Sequence, residues 1–62
     1  MKKRFNIFKA ALAYELGNKA TLTEDGQVIV WADEFNETRT FNTLQRAIDH
    51  FARFMPDSLK QF

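Results

Sequence analysis

A β-hairpin is predicted by residues 19–32, which read KATLTEDGQVIVWA. Two segments rich in threonine and apolar residues, 20–23 and 28–31, have the composition of β-strands. Between them, Asp25-Gly26 is typical of a two-residue type I′ turn, in which glycine takes a positive φ without steric cost. The segment therefore predicts two antiparallel strands and a positive φ at Gly26.

The two-residue turn also predicts the register of this hairpin. It places Leu22 opposite Ile29 and Ala20 opposite Trp31 on one face, which we expect to be the core side. The opposite face then carries Thr21, Thr23, Val28 and Val30. Because half of those residues bear hydroxyl groups, we expect that face to contact water.

A first helix is predicted at residues 4–16. Apolar side chains recur at i, i+3, i+7 and i+11 and line one face. These are Phe5, Phe8, Leu12 and Leu16. Gly17-Asn18 supplies the C-terminal stop, since glycine readily takes the left-handed conformation that ends many helices.

A second apolar strip lies beside the first on this helix and consists of Ile7, Ala11 and Tyr14. The two strips together are wider than the single stripe that faces a core. We therefore expect the second strip to stay at the edge of the core and to form a protein interface, most simply in a two-fold homodimer. The alternative is that the tail residues Leu59 and Phe62 cover the strip within one chain.

A second helix is predicted at residues 43–55, where the apolar spacing is most regular. Its buried face would carry Leu44, Ala47, Ile48, Phe51, Ala52, Phe54 and Met55. Asn42 is placed to cap the helix, with Gln45 as its capping-box partner. Pro56 would end it.

The predicted fold class is α+β, with the element order α-β-β-β-α in one domain spanning residues 1–62. A third strand at 37–41 would complete a three-stranded antiparallel meander, with two helices packed on one face in a two-layer arrangement. A short helical turn within 57–62 would let the tail return to the core. The residues expected to be most buried are Leu12, Leu22, Ile29, Trp31, Leu44, Ile48, Phe51 and Met55.

Composition excludes several kinds of site. The chain has no cysteine and a single histidine, so disulfides, thiolate metal sites and histidine-rich metal sites are excluded. His50 has no nucleophile at useful spacing and is expected on a helix surface. Because there is also no glycine-rich phosphate loop, we expect no cofactor and no catalytic activity. So short a chain without disulfide or metal depends on large apolar groups or on self-association.

Charge is unevenly distributed, although the net charge is only +1. Residues 24–37 carry five acids and no base, and could bind a basic protein partner. The N-terminal helix is basic, with aromatic residues interleaved, as in surfaces that neutralise phosphates and stack on bases. The candidate nucleic-acid contacts are Lys2, Lys3, Arg4 and Lys9, joined by Arg46 and Arg53.

The element order is similar to that of double-stranded RNA-binding domains, a resemblance that implies phosphate contacts from a lysine-rich start of the last helix. Here that start reads Thr43-Leu44-Gln45-Arg46, with a single base. The entry to this helix after three strands is also similar to integrase arm-binding domains, a resemblance that implies DNA binding through the sheet. These strands expose threonine and carry acids at both turns. Element order without such residues does not transfer function.

The expected localisation is cytoplasmic, without membrane association. The basic residues 1–4 are followed by a segment interrupted by polar and charged residues, so no signal-peptide core is present. No stretch approaches the roughly 18 apolar residues of a membrane span. The expected function is a small non-catalytic protein-interaction module, self-associating and of the type found among phage, prophage or plasmid accessory proteins that bind a host protein. The alternative is a small nucleic-acid-binding protein that uses the basic N-terminal helix.

Overall fold

The computed structural model describes residues 2–32 and 37–60. The element order begins with α1 (Lys2–Leu16), β1 (Lys19–Leu22), β2 (Val28–Ala32) and β3 (Glu37–Phe41). It continues with α2 (Leu44–His50), a 3-10 turn (Ala52–Phe54) and α3 (Asp57–Lys60). The strands form one antiparallel sheet in the order β1-β2-β3. The predicted α+β arrangement is confirmed, with a third short helix at the end.

The predicted role of Phe62, and residues 33–36 of the acidic segment 24–37, lie outside the described residues.

The predicted register of the hairpin is wrong by one residue. Ala20 pairs with Val30 and Leu22 with Val28. The reason is the length of the connection, which contains three residues, 24–26. The Gly26 N–H donates to the Thr23 carbonyl at 3.1 Å, so a β-turn precedes the glycine. Gly26 has φ +88°, which confirms the predicted positive φ within a longer loop.

The shift of one residue exchanges the two faces of the hairpin. Val28, Val30 and Ala20 are buried, although the sequence pattern placed the two valines on the water side. Trp31, predicted to be buried, is 39% exposed, and Ile29 is half-buried on the opposite face from the core.

The core lies between one face of the sheet and the three helices. Its buried members are Phe5, Phe8, Leu12, Ala20, Val28, Val30, Leu44, Ala47, Ile48, Met55 and Leu59. The predicted face of α1 is confirmed, with Leu16 half-buried at its end. Of the residues expected to be most buried, Leu22 and Phe51 pack against this core but remain half-buried.

The second helix is shorter than predicted and starts with a different cap. Thr43, not Asn42, is the N-cap, and its Oγ1 accepts a hydrogen bond from the Arg46 N–H at 3.1 Å. Gln45 is not the capping partner, because its Nε2 donates to Asp49 Oδ1 at 2.9 Å. The helix ends at His50 instead of continuing to residue 55.

The helix is interrupted at Phe51, whose φ of −105° and ψ of 24° lie outside the helical region, and Pro56 keeps a regular helix from resuming before it. The proline has no N–H to donate to the Ala52 carbonyl, and it disfavours helical backbone at Met55. The chain tightens instead into a 3-10 turn, in which the Met55 N–H donates to the Ala52 carbonyl at 3.1 Å. The following α3 returns Leu59 to the core at 1% exposure, as the predicted helical turn of the tail suggested.

Candidate interaction surfaces

An open groove runs along α1 beside the second apolar strip. Ile7 and Ala11 are half-buried on its wall, and Tyr14 stands at its edge with 87% of its surface exposed. The groove has a volume of about 570 Å³. We call it the α1 groove, and it is lined by Ile7, Ala10, Ala11, Tyr14, Glu15, Arg53, Phe54, Met55 and Pro56.

The second wall of the α1 groove depends on the early end of α2. Because the chain leaves the helix after His50, Phe54 and Pro56 come to lie alongside α1. A helix continuing to residue 55 would have turned this segment differently. The sequence pattern identified the strip on α1, but it gave no indication of the wall that faces it.

The α1 groove carries one acid and one base. Glu15 belongs to α1, and Arg53 belongs to the 3-10 turn on the other wall. The Arg53 guanidinium lies 6.0 Å from the centroid of the Phe54 ring, within the range of a cation–π contact. Among residues 2–32 and 37–60, Glu15 forms no ion pair, so its carboxylate is available to a binding partner.

The tail does not cover the α1 groove with Leu59. That side chain is buried in the core, where α3 packs against α1, and it is not among the groove residues. Tyr14 remains exposed although the tail folds back. The part of the tail that the structure describes therefore leaves the strip open.

The basic side chains of α1 that the structure describes, those of Lys3, Arg4 and Lys9, do not form one stripe. Lys3 and Lys9 are exposed but lie about 120° apart around the helix axis. Arg4 is half-buried, and its Nη2 donates to Gln45 Oε1 at 3.2 Å. Arg46 and Arg53 are exposed on other elements, and the side chain of Lys2 lies outside the described part of the chain. Among the described side chains of α1, Lys3, Arg4 and Lys9 therefore do not share one face of the helix.

The outer face of the sheet is a second exposed surface, and the predicted register had assigned its Ile29 and Trp31 to the core. Trp31 lies on this face in the central strand β2, and Lys19 Nζ is 5.4 Å from the centroid of the indole ring. On the same face, Thr21 pairs with the half-buried Ile29. The segment from Val28 to Trp31 is apolar at every position, so alternation alone could not choose which face is buried.

Within residues 2–32 and 37–60, no group of three or more histidine, aspartate or glutamate side chains could hold a metal ion. In the same ranges, no helix has both the length and the apolar character needed to cross a membrane.

Comparison with known proteins gives no relative. No protein-family model matches the chain, and no curated protein or solved structure is significantly similar to it.

Proposed function

We propose that this protein is a non-catalytic interaction module that self-associates as a two-fold homodimer through the α1 groove. The supporting observation is the position of Tyr14, which projects at 87% exposure from the edge of an apolar groove on the same surface. A two-fold interface requires one patch to complement itself. The tyrosine and the groove supply the two complementary parts.

An antiparallel packing of α1 against the α1 of a second copy satisfies this geometry. Ile7 and Tyr14 lie about one helical turn on either side of Ala11. A two-fold axis near Ala11 would therefore bring each Tyr14 towards Ile7 of the other copy. The small side chain of Ala11 at the crossing point allows the two backbones to approach closely.

The charges of the α1 groove favour the same arrangement. Each copy offers one acid, Glu15, and one base, Arg53, from opposite walls. In a two-fold dimer the acid of one copy can face the base of the other, twice. Such complementarity fixes the register of an interface and discriminates against other partners.

The size of the protein adds a reason for association. A chain of 62 residues buries only about 60% of the surface that its unfolded form exposes. A dimer stabilises each folded chain by mass action, because binding draws the equilibrium away from the unfolded state. Burial of Tyr14 and of the groove wall would extend the thin core across the interface.

Light scattering on the purified protein at high micromolar concentration tests the proposal. One chain has a mass of 7.3 kDa, so the expected dimer mass is twice that value, about 14.6 kDa. Tyr14→Lys should return the mass to that of one chain without unfolding it, because Tyr14 is almost fully exposed. Ile7→Lys combined with Tyr14→Lys should do so at any accessible concentration.

A matched control uses the same helix and the same spacing of seven residues. Asn6 and Ala13 are both exposed on α1, and neither lines the groove. Asn6→Lys combined with Ala13→Lys adds the same charge and should leave the dimer intact. A parent protein that measures 7.3 kDa, or a dimer that survives Tyr14→Lys with Ile7→Lys, would refute the proposed interface.

A further inference from the structure

A separate pocket of about 350 Å³ opens at the corner of the sheet between β3 and the end of α2. Val30, Ala32 and Phe51 form its apolar floor, and Arg39 and His50 stand at its rim. It shares no residue with the α1 groove. Its volume falls within the range of small-molecule sites, which combine apolar walls with a few convergent polar groups.

The two rim residues hold their nitrogens close together. Arg39 Nη1 lies 3.3 Å from His50 Nε2. A guanidinium only donates hydrogen bonds, so this contact is a hydrogen bond in the imidazole tautomer whose proton is on Nδ1. The imidazole ring is held in place from two sides, with ring centroids 5.2 Å from Phe41 and 4.8 Å from Phe51. The rim is therefore organised by aromatic packing before any ligand enters.

Glu37 orients the guanidinium and limits the charge that the pocket accepts. Its Oε1 accepts a hydrogen bond from Arg39 Nε at 3.3 Å. Because His50 takes one hydrogen of Nη1, the second hydrogen of Nη1 and both hydrogens of Nη2 face another acceptor. Glu37 also lines the pocket. Its negative charge would repel a dianion more strongly than a monoanion.

We propose that this pocket binds small monocarboxylates that carry an apolar or aromatic body. The carboxylate accepts hydrogen bonds from the terminal nitrogens of Arg39, the residue whose planar fork matches carboxylate geometry. Asn18, which also lines the pocket, offers a neutral amide donor. The apolar body rests on Val30 and Phe51, where it is removed from water.

Benzoate is the first probe, with changes in the amide and side-chain NMR signals as the readout. Binding should move signals of Arg39, His50 and Val30 with a dissociation constant on the order of 1–10 mM, as expected for so small a ligand. Benzamide has the same shape without the charge and should bind about tenfold more weakly. Phenyl phosphate, a dianion at pH 8, should also bind more weakly. Equal binding of benzamide, or a preference for phenyl phosphate, overturns the proposal.

Variants locate the site independently of the dimer. Arg39→Gln should weaken benzoate binding about tenfold. Lys9→Gln removes one positive charge from the exposed surface of α1 and should leave binding unchanged. His50→Phe keeps a ring against Phe41 and Phe51 but removes the polar nitrogens, and should also weaken binding.

Thermal unfolding checks that each variant is folded. Because Arg39→Gln and His50→Phe change different residues of the rim, each tests the site even if the other does not fold. Benzoate binding that is unaffected by both Arg39→Gln and His50→Phe would overturn the site. The monomeric Tyr14→Lys variant should bind benzoate as the parent does. A monomeric parent protein would therefore contradict the homodimer but not the carboxylate site. A parent protein that does not bind benzoate would contradict the carboxylate site but not the homodimer.

Discussion

The Thr23 hydroxyl accepts a hydrogen bond from the Gln27 N–H at 3.0 Å, while the Thr23 N–H donates to the Gln27 carbonyl at 2.9 Å. These two bonds close the hairpin loop at its base. They hold Glu24, Asp25 and Gly26 outside the ladder and thereby fix which residues of β1 and β2 pair. Loop closure therefore determines which residues of β1 and β2 face the core and which face outwards.

Gly26→Val should lower the free energy of unfolding by about 1–3 kcal/mol. A β-branched residue is strained at the φ of +88° that Gly26 adopts. No atom lies within 4 Å of a Cβ built at this position, so the backbone conformation alone is being tested. Denaturant unfolding measures the change. Gly26→Asn is the control and should cost less, because asparagine tolerates the left-handed region; equal losses would argue against strain at this φ.

The hairpin register can be tested with two neighbouring substitutions to threonine. Val30→Thr places a hydroxyl at a position that is 3% exposed and should cost about 1–3 kcal/mol of unfolding free energy. Ile29→Thr changes a half-buried residue of the outer face and should cost within about 1 kcal/mol, since threonine suits an exposed strand. If Ile29→Thr cost more unfolding free energy than Val30→Thr in urea denaturation, the register in which Ile29 faces the core would be the correct one.

The cap of α2 gives a third prediction. Thr43→Ala should lower the free energy of unfolding by about 1 kcal/mol, because the Arg46 N–H loses its side-chain acceptor. The lost hydrogen bond caps a helix of only seven residues. Asn42→Ala is the matched control one residue earlier and should have a smaller effect. A larger loss at Asn42 than at Thr43 in the same denaturation assay would show that the cap is wrongly assigned.

Charge reversal tests how the proposed dimer is arranged. Glu15→Lys and Arg53→Glu should each weaken the dimer roughly tenfold, because each places like charges together twice across the two-fold axis. The double variant should regain affinity within about twofold of the parent. Sedimentation equilibrium at several concentrations gives the dissociation constants. If the double variant loses as much dimerisation free energy as the two single variants together, Glu15 does not face Arg53 of the second copy.

Local patterns in the sequence predicted most of the elements. The i, i+3, i+7 spacing of Phe5, Phe8 and Leu12 identified the buried face of α1, because a helix brings such residues to one side whatever the rest of the chain does. The Asp25-Gly26 pair identified the hairpin and the positive φ, because a turn also depends only on residues that are adjacent in the chain. The strip of Ile7, Ala11 and Tyr14 could likewise be read from its spacing, and it led to the groove now proposed as an interface.

By itself, then, the sequence determined the kinds of element, their order and the buried face of α1. The tertiary structure decided the strand register, since Val28, Ile29, Val30 and Trp31 suit either face and only loop closure and packing distinguish them. It also decided where α2 ends, because helical periodicity continues past His50 while the backbone leaves the helical region at Phe51. The α1 groove and the pocket at Arg39 depend on contacts between segments distant in the chain, which no local pattern encodes.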